Sequence, residues 1–302
     1  MHIIAKSQIL IPNILGKAKI CKDIELQLFD EFDNFNDCVD DLYQTVINIP
    51  DINIRCVHSP LESGEDVNIE FLENEKDFFK LSKTVELAGR LSDYYNETIK
   101  IIMHSSFNYE NYKKIPSLLK RIEDFVEKSL DKYKNIIICI ENVIPCKFSK
   151  EKELFFRNGC LFDNIKLVKH LRTKLNTNRI GTVLDTCHMM ITLQTLDNIF
   201  KDNYIDYIKE FDMEKFFIEN KDYIQLIHLC DVKNLGYNKK EHGIKFESDR
   251  LYLMSNLIDL YLEYNYRCDI TIEIIEDDYV INNNFKENYE ILKTMLKNNH
   301  IL

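Results

Sequence analysis

Eight side chains of this 302-residue chain belong to types that bind cations and move protons: His58, His104, Glu141, Asp185, His188, His228, His242 and Glu273. Imidazole nitrogens and carboxylate oxygens are the donors that divalent ions such as zinc, manganese and magnesium accept. Seven of the eight lie in or just after short apolar runs, in VHS, IMH, CIE, VLDTCH, LIH and TIE, and His242 follows in the loop after the seventh run. If those run ends converge, three carboxylates crowd together and repel unless cations neutralise them. A bound metal cluster resolves that conflict better than an uncharged polar core. Glu141, Asp185 and Glu273 are then the expected catalytic groups, because carboxylates bridge ions, orient water and exchange protons. His2, His170 and His300 lie at a terminus or on helical faces and are expected to be structural or solvated.

The convergence needs a scaffold, and the apolar runs supply one. They are IIAKSQI (3–9), IELQLFD (24–30), NIRCVHS (53–59), IKIIMHS (99–105), IIICIEN (136–142), IGTVLDT (180–186), YIQLIHL (223–229) and DITIEII (269–275). Helical spacing separates them: Phe78, Leu81, Val85, Ala88, Leu91 and Tyr95 mark one apolar face, and Leu118, Ile122, Phe125 and Leu130 another. Eight strand-helix units in this length predict an α/β fold, a (β/α)8 TIM barrel, whose active sites form at the C-terminal strand ends. A doubly wound open sheet would carry a glycine-rich first turn, which is missing. The poorest helix is expected at 10–21, where Pro12 intervenes. Strand alternation puts Cys56 on the face of His58 and Cys139 on that of Glu141, as small hydrophobes beneath the metals. Asp231 is expected either to orient a histidine or to cap a loop.

Only seven glycines and five prolines punctuate the chain, and no Gly, Ser or Pro linker divides it, so residues 1–302 are expected to form one domain. Hydrophobic residues at 45% and charged residues at 29% exclude a disordered or collagen-like chain. Nine cysteines without paired spacing, an N-terminus interrupted by Lys6, Gln8, Pro12 and Asn13, and no long uncharged apolar run predict reduced thiols, a cytoplasmic location and no membrane span. A formal charge of −11 opposes long-range attraction to nucleic acid. DNA would have to be held by rim cations such as Lys147, Lys150, Lys152, Arg157, Lys239, Lys240 and Lys245.

Taken in order, VHSPL, IMHSS, CIENV, VLDTCH, IHLCDVKNLGYNKKEH and TIEI resemble the metal-binding strand ends of the endonuclease IV (AP endonuclease family 2) branch of the xylose isomerase-like barrels. The resemblance covers about residues 53 to 275, and VLDTCH is its most specific motif. It implies that His58, His104 and Glu141 hold a first zinc, that Glu141 bridges to a second held by Asp185, His228 and Glu273, and that His188 and His242 belong to a third. The family's third site also uses an aspartate two positions before the loop histidine, where this chain has Lys240. An ammonium repels a cation, so that site is weak, empty, or completed by Glu241 or Asp231.

Two enzyme classes follow. The first is a metal-dependent phosphodiester hydrolase acting at abasic sites in DNA, with two or three ions, expected to be zinc. The second is a sugar or sugar-phosphate isomerase, epimerase or lyase, in which one Mn, Mg or Co ion held by Glu141, Asp185, His228 and Glu273 polarises a carbonyl while the two glutamates exchange protons. The missing aspartate favours the second, and the presence of both His58 and His104 favours the first. A binding protein without turnover is the remaining class, disfavoured because buried carboxylates kept without use are costly.

Overall fold

The computed structural model describes residues 1–33, 38–62, 65–105, 109–143, 146–148, 154–156, 161–199, 213–233, 241–246, 251–264 and 266–301. Eight parallel strands close into a barrel in chain order: β1 (Ile3–Gln8), β2 (Asp23–Gln27), β3 (Asn53–His58), β4 (Ile99–His104), β5 (Ile136–Glu141), β6 (Ile180–Asp185), β7 (Ile224–Leu229) and β8 (Asp269–Ile272). All eight expected strands are present, and β8 stops one residue before Glu273. Register sets the chemistry level around the ring. Gln27 pairs with His58, His104 with Glu141, and Asp185 with His228. Side chains alternate across a strand, so each of these positions has an inward partner two residues earlier. On β3 to β7 those partners, Cys56, Ile102, Cys139, Val183 and Leu226, form with Ile4 of β1 a fully buried apolar layer inside the barrel, whereas on β2 the residue two before Gln27 is the buried Glu25.

The helices cover the outside. They include α1 (Ile11–Ala18), α2 (Val39–Ile47), α3 (Glu75–Tyr95), α4 (Tyr109–Lys114), α5 (Pro116–Lys132), α6 (Leu161–Leu175) and α7 (Thr186–Ile199). The Asn74 side chain caps α3 by accepting from the Lys76 N–H, and Asn96 ends it in the left-handed conformation at φ 52°. Leu81, Val85, Ala88 and Leu91 are buried as their spacing requires, and so are Leu118, Ile122, Phe125 and Leu130 of α5. Phe78 departs from the expected stripe. It is 47% exposed and meets Phe125 edge-on, with ring centroids 5.9 Å apart. The expectation of a poor helix at 10–21 also needs correcting. Pro12 sits in the first turn of α1, where its missing N–H has no intrahelical acceptor to lose, so it starts the helix.

Among the described residues, three two-stranded pairings that periodicity did not reveal decorate the C-terminal loops as hairpins: Leu61–Glu62 with Glu65–Asp66, Cys146–Phe148 with Leu154–Phe156, and Asp231–Lys233 with Glu241–Ile244. At the opposite mouth, charges pair with one another. Lys100 Nζ lies 2.5 Å from Asp269, Arg55 lies 2.7 Å from Asp23, and the His2 N–H donates to Asp269. His170 pairs with Glu123 at 2.8 Å, so His2 and His170 both have the structural roles expected of them. Among the described residues, no helix is long and apolar enough to cross a membrane.

Candidate metal centre

At the C-terminal mouth, the two oxygens of the buried Glu141 carboxylate face different partners. Oε2 is 3.0 Å from His58 Nε2 and 3.1 Å from His104 Nε2. Oε1 is 3.0 Å from His228 Nδ1, and that same nitrogen is 3.0 Å from Glu273 Oε2. Two donor sets result, each with its ligand atoms within 4.8 Å of one another: His58, His104 and Glu141, and Glu141, Asp185, His228 and Glu273.

The surrounding backbone fixes these side chains. The Asn164 amide donates to the Glu141 carbonyl at 2.7 Å. Asn142 donates to the Asp185 carbonyl and accepts the Asp185 N–H at 2.8 Å, joining the ends of β5 and β6. Asp185 directly precedes α7, and its Oδ1 accepts the His188 N–H at 2.6 Å, as a helix cap does. His188 therefore stands in the first turn of α7 and not on a strand, with Nδ1 donating to the Asn142 carbonyl at 2.7 Å and lying 3.6 Å from Asp185 Oδ2.

The hydrogen bonding tests whether these residues suit a cation. His58 Nδ1 faces the Ser59 carbonyl at 3.0 Å, and a carbonyl only accepts, so the proton is on Nδ1. In the neutral ring Nε2 is then a lone pair directed at a carboxylate oxygen. Two buried acceptors hold that separation only with positive charge between them. A second proton on His58 is disfavoured, because burial and then the nearby Lys6 ammonium lower its pKa. A divalent ion satisfies His58, His104 and Glu141 together, so the donor set fits the group.

Electrostatics in the second set point the same way. Burial would raise the Glu141 carboxyl, but His228 and His104 hold it well below the usual carboxylate range. Burial is likewise overcome at Glu273, by Lys6 and His228. His228 is itself pushed well above an ordinary imidazole, since the flanking Glu141 and Glu25 outweigh its burial. Beneath the site, burial pushes the Cys139 thiol up to about 12 and raises Cys56, so both remain protonated apolar filler. Asp185, Cys187 and Cys230 form a further close group. The Cys230 thiol is raised by its hydrogen bond to Cys187 and by burial, and both pack with Ile191 and Val232.

Six of the expected residues, His58, His104, Glu141, Asp185, His228 and Glu273, thus come together, with His188 beside them. The His242 backbone pairs with Val232 in the third hairpin, while its side chain is outside the description. Lys150, Lys152, Arg157, Lys239 and Lys240 lie outside the described residues, as do the side chains of Lys147 and Glu241. Lys245 is engaged with Glu287 at 2.8 Å. Asp231 Oδ1 accepts the Val232 N–H, a loop-capping contact. Sequence reasoning passed over two participants. Lys6 on β1 lies 2.9 Å from Glu273, and Glu25 on β2 accepts from His228 Nε2 at 3.1 Å. Charged residues at the inward positions of otherwise apolar runs were the signal available.

No protein-family model matches the chain. A stretch of 115 residues is 30% identical to "Probable endonuclease 4" of Mycoplasmopsis synoviae (strain 53); it covers 38% of this chain and 34% of that protein, so about a third of the relative's length is matched. Structural similarity extends over nearly the whole chain. The apo 3-keto-D-glucoside 4-epimerase YcjR from E. coli superposes with TM-score 0.58 at 13% identity, covering 97% of this chain and 100% of that one. A zinc-bound IOLI protein gives TM-score 0.57 at 13% identity over 99% and 98%. A xylose isomerase domain protein from Alicyclobacillus acidocaldarius gives TM-score 0.58 at 14% identity over 99% of each. At these identities the likeness is one of fold, and the structural neighbours are xylose isomerase-like TIM barrel proteins.

Proposed function

We propose that this chain, a barrel with xylose isomerase-like neighbours, is a metal-dependent phosphodiester hydrolase acting at abasic sites in DNA. One observation carries the reading: the two oxygens of Glu141 serve separate donor sets, as a carboxylate shared between two ions does. An isomerase needs one ion and leaves His58 and His104 without a cation to hold. The matched stretch of an endonuclease 4 relative supports the same class.

In this reading His58, His104 and Glu141 hold one ion, and Glu141, Asp185, His228 and Glu273 hold the other, with zinc the expected metal. Two such ions supply Lewis acidity toward the phosphoryl oxygens and a nucleophilic water at neutral pH. The chain's own groups do the rest. Glu25, Glu141, Asp185 and Glu273 oppose the single Lys6 ammonium, a net of three fixed negative charges. Two dications bound there would leave the pocket slightly positive, a charge that suits a phosphodiester anion. His188 and His242 are the residues left for a third ion. With a formal net charge of −11 on the chain, substrate is gripped at the rim and not steered from a distance.

A single-ion epimerase is the second reading, favoured by the sufficiency of Glu141, Asp185, His228 and Glu273 as one donor set. Elemental analysis of chelator-free protein, followed by assays on an abasic duplex and on D-allulose, separates the two. Two or more ions per chain with strand incision are expected. One ion per chain, with ketose epimerisation and intact duplex, would overturn the hydrolase.

A further inference from the structure

Glu25 is fully buried on β2, between β1, which carries Lys6, and β3, which carries the proposed ligand His58, and it makes more directed contacts than a spectator carboxylate needs. Its Oε2 accepts from His228 Nε2 at 3.1 Å and from the Thr271 hydroxyl at 2.8 Å, and its Oε1 lies 3.6 Å from Lys6 Nζ. Thr271 stands on β8 two residues before Glu273, and Lys6 reaches Glu273 at 2.9 Å. The cluster therefore links both nitrogens of one imidazole to two carboxylate systems, Glu25 at Nε2 and the candidate ligands Glu141 and Glu273 at Nδ1.

We infer that Glu25, aimed by Thr271, is a positioning residue that keeps the His228 proton on Nε2 and so presents Nδ1 as the ligand to the second ion. The inference rests on the two-site reading above. An imidazole that donates to a carboxylate has its tautomer and ring plane fixed and its other nitrogen made more basic. Thr271 supplies the only donor of its kind to Oε2 besides His228 among the described contacts, and that second bond prevents the carboxylate from rotating out of the ring plane. Lys6 plays the opposite part. Its ammonium balances Glu25 but stands beside Glu273, so it weakens the second site by repulsion while holding the glutamate in place.

The two roles differ in sign, and this makes the inference testable. Zinc affinities are measured by competition with a chromophoric chelator on the whole chain, with thermal unfolding recorded for each variant. Glu25→Gln and Thr271→Val are each expected to weaken the second equivalent, the former by about 10–100-fold, while the first equivalent is unchanged. Lys6→Met is expected to strengthen the second equivalent. Because Glu25→Gln removes one of the two carboxylates beside Lys6 and leaves Glu273 as the other, the Lys6→Met/Glu25→Gln pair provides a charge-balanced variant, which should still bind the second ion less tightly than Lys6→Met alone. Nitrogen-15 spectra of histidine-labelled, zinc-loaded protein should show His228 protonated at Nε2. Unchanged second-site affinity in Glu25→Gln and Thr271→Val, or an equal loss at both sites in all variants, overturns the positioning role and leaves the metal reading standing. A wild-type chain that takes up no cation overturns both.

Discussion

At the scale of single residues, Glu141 is the side chain on which the site turns. Three imidazoles converge on its two oxygens. Glu141→Gln keeps the shape but removes the charge, so metal content should fall below two per chain and turnover by about 10²–10⁴-fold, with the unfolding transition preserved. Full metal content and undiminished turnover would remove Glu141 from the mechanism. A second residue-scale prediction concerns the other mouth, where Lys100 and Asp269 are both largely buried. Burial works against the Asp269 charge, but Lys100 outweighs it and depresses the carboxyl below the usual aspartate range. A folded pKa below the unfolded value of about 3.9 stabilises fully above that pH and is lost as pH falls through the folded value. Asp269→Asn should thus cost about 3–5 kcal/mol at neutral pH and flatten the acid limb of the stability profile. Urea titrations at several pH values measure both effects, and an acid limb identical to wild type would contradict the assignment.

Elements set the limits on what could be read in advance. The eight strands and the ligand-bearing ends were legible because an inward residue every second position gives a repeating signal, from Cys56 and His58 to Cys139 and Glu141. Lys6 and Glu25 broke that pattern with charges in β1 and β2, and no local rule says which strand will contribute a counter-charge. The α1 boundary was misjudged because proline reads as a breaker unless the helix start is known. The hairpins were invisible because strands of two to four residues have no periodicity to detect. The third of them depends on Gly243 at φ 74°, whose carbonyl accepts the Ile275 N–H at 2.7 Å and so ties the His242 strand to the end of β8. Gly243→Ala must adopt a left-handed conformation that costs an L-residue about 1–2 kcal/mol. The urea midpoint should fall accordingly, and an unchanged midpoint would mean that the hairpin is not held rigidly at that position.

On the scale of the whole molecule, the proposed ions join strands that are distant in sequence, from β3 to the residue after β8. Binding to the folded state alone stabilises it by mass action, about 4 kcal/mol when free metal exceeds its Kd a thousandfold. Exhaustive chelation should therefore lower Tm by roughly 8 °C, and zinc added back should restore it. A Tm indifferent to chelator would show that the carboxylates and imidazoles satisfy one another without a cation.

The apolar layer of Ile4, Cys56, Ile102, Cys139, Val183 and Leu226 fills the barrel between two ionic mouths. Acting as a stopper, it prevents water and small ions from draining through the bore. Exchange between the upper chamber and solvent is then expected at the C-terminal mouth, so changes around Lys100 at the other mouth should leave exchange rates as they are.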